Sequence, residues 1–206
     1  GNKAVITKWF REKNGNEIFS SGNVIKKKSF TKEGFTKTKF NKSLFTEITT
    51  FYSENRNQDE KEQIDGNFVY IPQSKKEASK LIELPIDLKE KIHSMLKGPL
   101  EEWSGISLEP TFVYGIRIYQ NGAVLVPHRD REETHIISAI INIDQEVNED
   151  WPLVIEDHFY RKYEVNLKPG EVLYYESAKL LHGRPIPLNG KSFANIFCHF
   201  MPTKNL

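Results

Sequence analysis

Cysteine is almost missing from this chain: Cys198 is the only one in 206 residues. No intrachain disulfide can form, which suits a reducing compartment and makes the cytoplasm the expected location. An excess of charge of either sign is also missing. Lys and Arg total 29 against 28 Asp and Glu, a formal net charge of +1. Such a chain has no global field to gather nucleic acid or anionic lipid. No apolar run is long enough for a signal peptide or a membrane span, the first six residues Gly1 to Ile6 included. Fixed-period repeats and low-complexity tracts are absent as well. What is present is 38% hydrophobic, 28% charged and 12% aromatic residues, the balance of a globular protein. The expectation is one domain over 1–206, with 1–110 as N-terminal strands and supporting helices and 111–206 as the core.

Local patterns divide the chain in the same place. Val5 to Phe10 reads as a short strand, and Gly15 and Gly22 as turns. Lys26–Lys28 and the lysines up to Lys42 form a basic stretch, read as a solvated face. Leu44, Phe45, Ile48, Phe51 and Tyr52 recur at three and four residues, which predicts an amphipathic helix from Lys42 to about Asn55. A polar loop over 53–66 and a short strand at Phe68–Ile71 follow. A helical stretch is expected from Ser74 to about Leu84, then a second helix capped by Asp87 and ended or kinked at Gly98-Pro99. After Pro110 the texture changes. Thr111–Tyr119, Ala123–Pro127, His135–Ile143, Leu153–Glu156, Glu164–Leu167, Glu171–Tyr175 and Ser192–Phe200 are short and β-branched or aromatic. Asn121-Gly122 and Pro169-Gly170 are turn signals between them. The fold class read from this is α+β, mainly β: a double-stranded β-helix, a cupin-like jelly roll, with supporting N-terminal helices.

Chemistry concentrates in Val126-Pro127-His128-Arg129-Asp130. Residues two apart on an extended chain point to one face, so His128 and Asp130 project together. An imidazole and a carboxylate on one face make two-thirds of a 2-His-1-carboxylate triad, the ligand set of non-haem iron(II) oxygenases. The third ligand is expected on a later strand, and His182 lies 52 residues after Asp130.

Arg117 to Gly122, followed by Pro127-His128-Arg129-Asp130, resembles the Tyr-x-x-Gly…His-x-Asp segment of prolyl 4-hydroxylase-like 2-oxoglutarate/iron(II) dioxygenases. Lys168 to Tyr175 resembles the strand these enzymes carry before the distal His. His182-Gly183-Arg184-Pro185 with Gly190-Lys191 resembles that His and the basic residue about nine positions later. The likeness covers roughly residues 112–200. It implies His128, Asp130 and His182 as catalytic metal ligands, with iron(II), 2-oxoglutarate and O2 as the working set and ascorbate as an optional addition. It implies that Lys191 pairs with the far carboxylate of 2-oxoglutarate, with Arg184 as the competing anchor, and that Tyr119 touches the cosubstrate. It further implies hydroxylation of an unactivated C–H bond with release of succinate, since related halogenases lack the carboxylate that Asp130 supplies.

The substrate implied is a prolyl residue in a peptide or protein; a free amino acid or other small molecule is the alternative. Trp151 stands where many prolyl hydroxylases have paired glycines, a departure that bears on substrate. Arg117 shares a strand face with Tyr119 and lines the cavity if that face does. His93, His135, His158 and His199 lack partners at ligand spacing and are read as structural. Loops 53–66 and 129–134 are candidate flanks for a peptide groove. The rival from another class is a cupin-like metal-binding module without oxygenase activity. Nucleic acid is not an expected partner, no membrane is, and the sequence leaves oligomeric state open.

Overall fold

A computed structural model describes residues 28–62 and 68–204. The strand expected at Val5–Phe10, the turns at Gly15 and Gly22, and Lys26-Lys27 lie outside these residues.

Helix α1 spans Lys42–Glu54 and helix α2 spans Ile86–Ser104. Leu44, Ile48 and Tyr52 are buried along α1 at a spacing of four, while Asn41 caps it by accepting from the Leu44 amide at 2.9 Å. Along α2 the buried stripe is Leu88, Ile92, Leu96 and Leu100. Of the two outcomes expected at Gly98-Pro99, an end or a kink, the end does not occur: the helix runs through to Ser104. Leu96 and Leu100 are anchored on either side of this dipeptide, and this burial outweighs the amide that Pro99 lacks. The stop comes at Gly105, whose φ of 72° is open to glycine at little cost. Pro85, not Asp87, sits at the N-cap; Asp87 lies in the first turn. No helix among the described residues is long and apolar enough to cross a membrane.

The strands are β1 (Phe35–Lys39), β2 (Glu60–Lys61), β3 (Val69–Tyr70), β4 (Ser79–Ile82), β5 (Leu108–Val113), β6 (Ile116–Gln120) and β7 (Val124–His128). Then follow β8 (Ile137–Val147), β9 (Leu153–Glu156), β10 (Lys162–Val165), β11 (Glu171–Tyr175), β12 (His182–Arg184) and β13 (Gly190–Pro202). They form an eight-stranded sheet in the order β1-β11-β8-β13-β6-β4-β2, with β5 also on β13, and a five-stranded sheet in the order β10-β9-β12-β7-β3. All pairings are antiparallel. This is the double-stranded β-helix expected from the sequence.

Where a helix was expected between Ser74 and Leu84 the chain forms β4. Its residues pair with β6 from Ser79↔Tyr119 to Ile82↔Ile116, and these sheet partners override the local helical pattern. The single strand expected over Thr111–Tyr119 is two strands broken at Gly115. A Cβ there would lie 2.6 Å from the Ile82 carbonyl oxygen, so only glycine lets β4 approach.

Period-two alternation assigns the two faces of the large sheet. Ala194, Ile196, Cys198 and Phe200 of β13 join the core beneath α1 and α2. Phe193 and Phe197 pack instead toward the small sheet, in two further clusters. The space between the sheets therefore receives every second side chain of β6, β8, β11 and β13.

Candidate metal centre and cavity

His128 ends β7 and His182 begins β12, and these two residues face each other directly in the antiparallel register. Their ring centroids are 4.5 Å apart. Asp130 follows two residues after His128, and its backbone N–H donates to the Ser177 carbonyl at 2.9 Å. One carboxylate oxygen of Asp130 lies 3.2 Å from His128 Nε2 and 3.4 Å from His182 Nε2. Among the described residues these three form the one cluster able to offer three ligand atoms to a metal ion, all within 4.8 Å of one another.

The backbone orients both rings identically. His128 Nδ1 lies 2.7 Å from the Val126 carbonyl and His182 Nδ1 lies 2.8 Å from the Leu180 carbonyl. A carbonyl can only accept, so each Nδ1 donates and each Nε2 is directed at Asp130. Burial alone raises a carboxyl pKa. Here His182 and His128 overcome that and hold Asp130 well below the usual carboxylate range. Two imidazoles and a carboxylate converging on one point fit a divalent first-row metal with sites left open, and such a metal would take the place of any proton on Nε2. Tyr175 packs its edge against His182 at 4.9 Å, and Phe68 lies 5.2 Å from His128.

These ligands line a cavity of about 450 Å³. Arg184 reaches it from the same strand as His182, two residues on. It is 1% exposed, its guanidinium carbon lies 4.7 Å from the centroids of both Trp151 and Phe193, and Nη1 donates to the Trp151 carbonyl at 2.5 Å. Nη2 is buried without a hydrogen-bond partner. Burial, partly offset by the Tyr119 and Tyr175 hydroxyls, pulls its pKa down to about 10. A buried guanidinium with a free N–H pair and no carboxylate beside it fits an anion in the cavity, and a carboxylate in particular.

Lys191 is elsewhere. The sequence reading had it point inward at the start of the last long strand. Its side chain is instead 76% exposed and lies 3.7 Å from Glu146 on the surface. Strict alternation would put Lys191 on the face of Phe193, but the register with β8 shifts between Gly190 and Ser192, and Lys191 sits at that irregularity, turned out to solvent. Arg184 takes the interior position. The signal was present in the sequence, because a residue two after His182 on a strand must share its face.

Tyr119 is fully buried between Trp151, at 4.9 Å, and Arg117, whose Nη1 donates to its hydroxyl at 3.3 Å. It is part of the wall behind Arg184 rather than of the cavity lining. Arg117 does line the cavity and is tied down by Glu62, with Nε donating at 2.9 Å. Burial opposes its charge, but Tyr119 and Glu62 more than restore it. Glu62 also accepts from Tyr114 at 2.5 Å and Ser79 at 2.6 Å. Sequence reasoning passed over Glu62, one of several acids in an expected polar loop. It also treated His135 and His199 as structural, whereas both line the cavity, stacked with centroids 3.6 Å apart. His158 does take a structural partner, Glu176, at 2.7 Å.

No protein-family profile matches the sequence, and comparison with curated proteins returned no match. Solved structures do match. The non-haem α-ketoglutarate-dependent epimerase SnoN of nogalamycin biosynthesis superposes with a TM-score of 0.63 at 9% identity, over 97% of this chain and 82% of that one. HygX from Streptomyces hygroscopicus, solved with nickel, 2-oxoglutarate and hygromycin B, gives 0.59 at 14% identity, over 83% and 84%. A prolyl-4-hydroxylase from Pseudomonas putida gives 0.56 at 13% identity, over 84% and 94%. At these identities the likeness is one of fold.

Proposed function

We propose, from the fold shared with these oxygenases, that the chain is an iron(II)- and 2-oxoglutarate-dependent dioxygenase that hydroxylates an unactivated C–H bond. The observation that carries this is the meeting of His128, Asp130 and His182 in a cavity that also holds the unpaired guanidinium of Arg184. His128, Asp130 and His182 would hold the metal, and Arg184, in place of Lys191, would receive the far carboxylate of 2-oxoglutarate. Iron(II) with 2-oxoglutarate and O2 supplies the oxidising power, the cosubstrate leaving as succinate and carbon dioxide. The chain's own part is to hold both imidazoles in the Nε2-presenting tautomer, to keep Asp130 ionised, and to exclude water with Tyr175, Leu153 and Ile140.

The substrate we propose is a prolyl residue of a peptide or protein, in line with the prolyl-4-hydroxylase neighbour. A small-molecule substrate is the second reading. A cavity of about 450 Å³ favours it, since this lies within the ordinary range for small-ligand pockets. The cytoplasm is the proposed compartment, on the single and buried Cys198. Succinate release with iron(II) and 2-oxoglutarate tests the enzyme reading and is expected to vanish in His128→Ala and Asp130→Ala. Metal binding without any turnover by the wild type would favour the cupin-like module instead. Screening proline-containing peptides and free amino acids for a gain of one oxygen separates the substrate classes.

A further inference from the structure

Ser177 begins a chain of three buried side chains. Its hydroxyl lies 2.9 Å from the His135 carbonyl, a contact in which only the hydroxyl can donate. With that proton committed, Ser177 Oγ must accept from Ser138 Oγ, 2.5 Å away. Ser138, its own proton committed in turn, must accept from His199 Nδ1 at 2.6 Å. Reversing the sequence would set two lone pairs against each other at the His135 carbonyl, a buried mismatch that costs about 1–3 kcal/mol. Ser138 and Ser177 are fully buried and His199 is 5% exposed, so water does not compete along this path. Nδ1 of His199 therefore carries the proton and Nε2 is left with a lone pair.

That lone pair belongs to the mouth of the cavity. His199 stacks on His135, which stacks in turn on Phe112, a residue 45% exposed at the rim. Phe112 is also the register partner of His199 across β5 and β13. Arg184 is held elsewhere in the lining, against Trp151 and Phe193. Nε2 of His199 has no hydrogen-bond partner among the described residues. The hydrogen bonds of neighbouring polar lining residues run elsewhere, with His135 Nδ1 against Thr134 Oγ1 and Arg117 Nε donating to Glu62. Thr111 donates to the Thr134 carbonyl at 2.7 Å and Tyr114 donates to Glu62.

We propose that His199 recognises a hydrogen-bond donor on the substrate, an N–H or O–H group, through an Nε2 lone pair exposed by the buried Ser138–Ser177 chain. The role as substrate contact rests on the oxygenase reading; the tautomer does not. Burial also pushes the His199 pKa down to about 3, so the ring is neutral at ordinary pH and the lone pair stays available.

Protein labelled with ¹⁵N in histidine and loaded with zinc(II) tests this by long-range ¹⁵N–¹H correlation. His199 is expected to show a pyrrole-type Nδ1 and a pyridine-type Nε2. Adding N-methylacetamide should move the Nε2 resonance, whereas N,N-dimethylacetamide, which lacks the donor, should not. Ser138→Ala should leave the ring a mixture of tautomers. A wild-type ring protonated on Nε2, or an Nε2 that neither amide or both amides shift equally, overturns the proposal. The same spectra follow His128 and His182. If zinc leaves those two unshifted, the metal reading fails while the His199 result stands. With a substrate in hand, His199→Phe, which keeps the stack, should raise KM about tenfold and change kcat less than twofold. A fall confined to kcat would overturn the binding role.

Discussion

Replacing Arg184 with methionine separates fold from cosubstrate binding. Burial has already drawn its pKa to about 10, which at about 1.4 kcal/mol per pKa unit puts a penalty of roughly 3 kcal/mol on the charged form in the folded protein. The sign is that of a base with a lowered pKa, so the penalty acts at every pH below about 10. Against it stand the bond to the Trp151 carbonyl, worth about 1 kcal/mol, and two ring contacts of about 1 kcal/mol each. These nearly cancel, so Arg184→Met should unfold within about 1 kcal/mol of wild type in urea. Binding behaves differently. A carboxylate seated against Arg184 and then left alone in a buried pocket loses about 3–5 kcal/mol, at least two orders of magnitude in Kd. Calorimetry of 2-oxoglutarate with manganese(II)-loaded, oxygen-free protein reads this directly, and Lys191→Ala should bind as wild type does. If Arg184→Met keeps its affinity within tenfold while Lys191→Ala loses it, the anchor assignment is wrong.

Gly183→Ala should weaken metal binding. The added Cβ would lie 2.6 Å from Pro127 Cα and 2.9 Å from the Leu125 carbonyl oxygen, prising apart the two strands that carry the imidazoles. Cobalt(II) absorption titrations should show at least a tenfold loss, by analogy with disrupted second-layer support of metal ligands. Glu62→Gln removes the carboxylate bonded to largely enclosed Arg117 and should cost about 3 kcal/mol in urea unfolding; a change under 0.5 kcal/mol would refute the pairing. His199 gives a pH signature. Its folded pKa is about 3 and an unfolded histidine titrates near 6.5. Its contribution to stability is therefore full above about pH 6.5 and falls by about 1.4 kcal/mol per unit below it. His199→Phe should flatten that slope between pH 7 and 5.

The core was legible because its strands are short, alternating and punctuated by turns such as Asn121-Gly122. The ligands were legible because His-x-Asp on a strand fixes two side chains on one face. The misreadings share a cause. Ser74–Leu84 has a helical texture but lies beside β6, and no local pattern records a neighbour 34 or more residues away. Lys191 was placed inward at the start of the last long strand, but a register irregularity between Gly190 and Ser192, which no local pattern announces, turns it out, while Arg184 lines the cavity with His182. Glu62 and His199 acquire meaning only from partners on other strands, Arg117 for one and Ser138 for the other. β12 itself, three residues long, is too short to carry a periodic signal.

The direct opposition of His128 and His182 ties coordination to strand alignment. A slip of one residue between β7 and β12 would turn one imidazole out of the barrel altogether. Metal uptake during refolding is thus a gauge of that alignment: it can begin only after a contact between residues 54 positions apart has formed, and it reports on the sheet as a whole rather than on either strand.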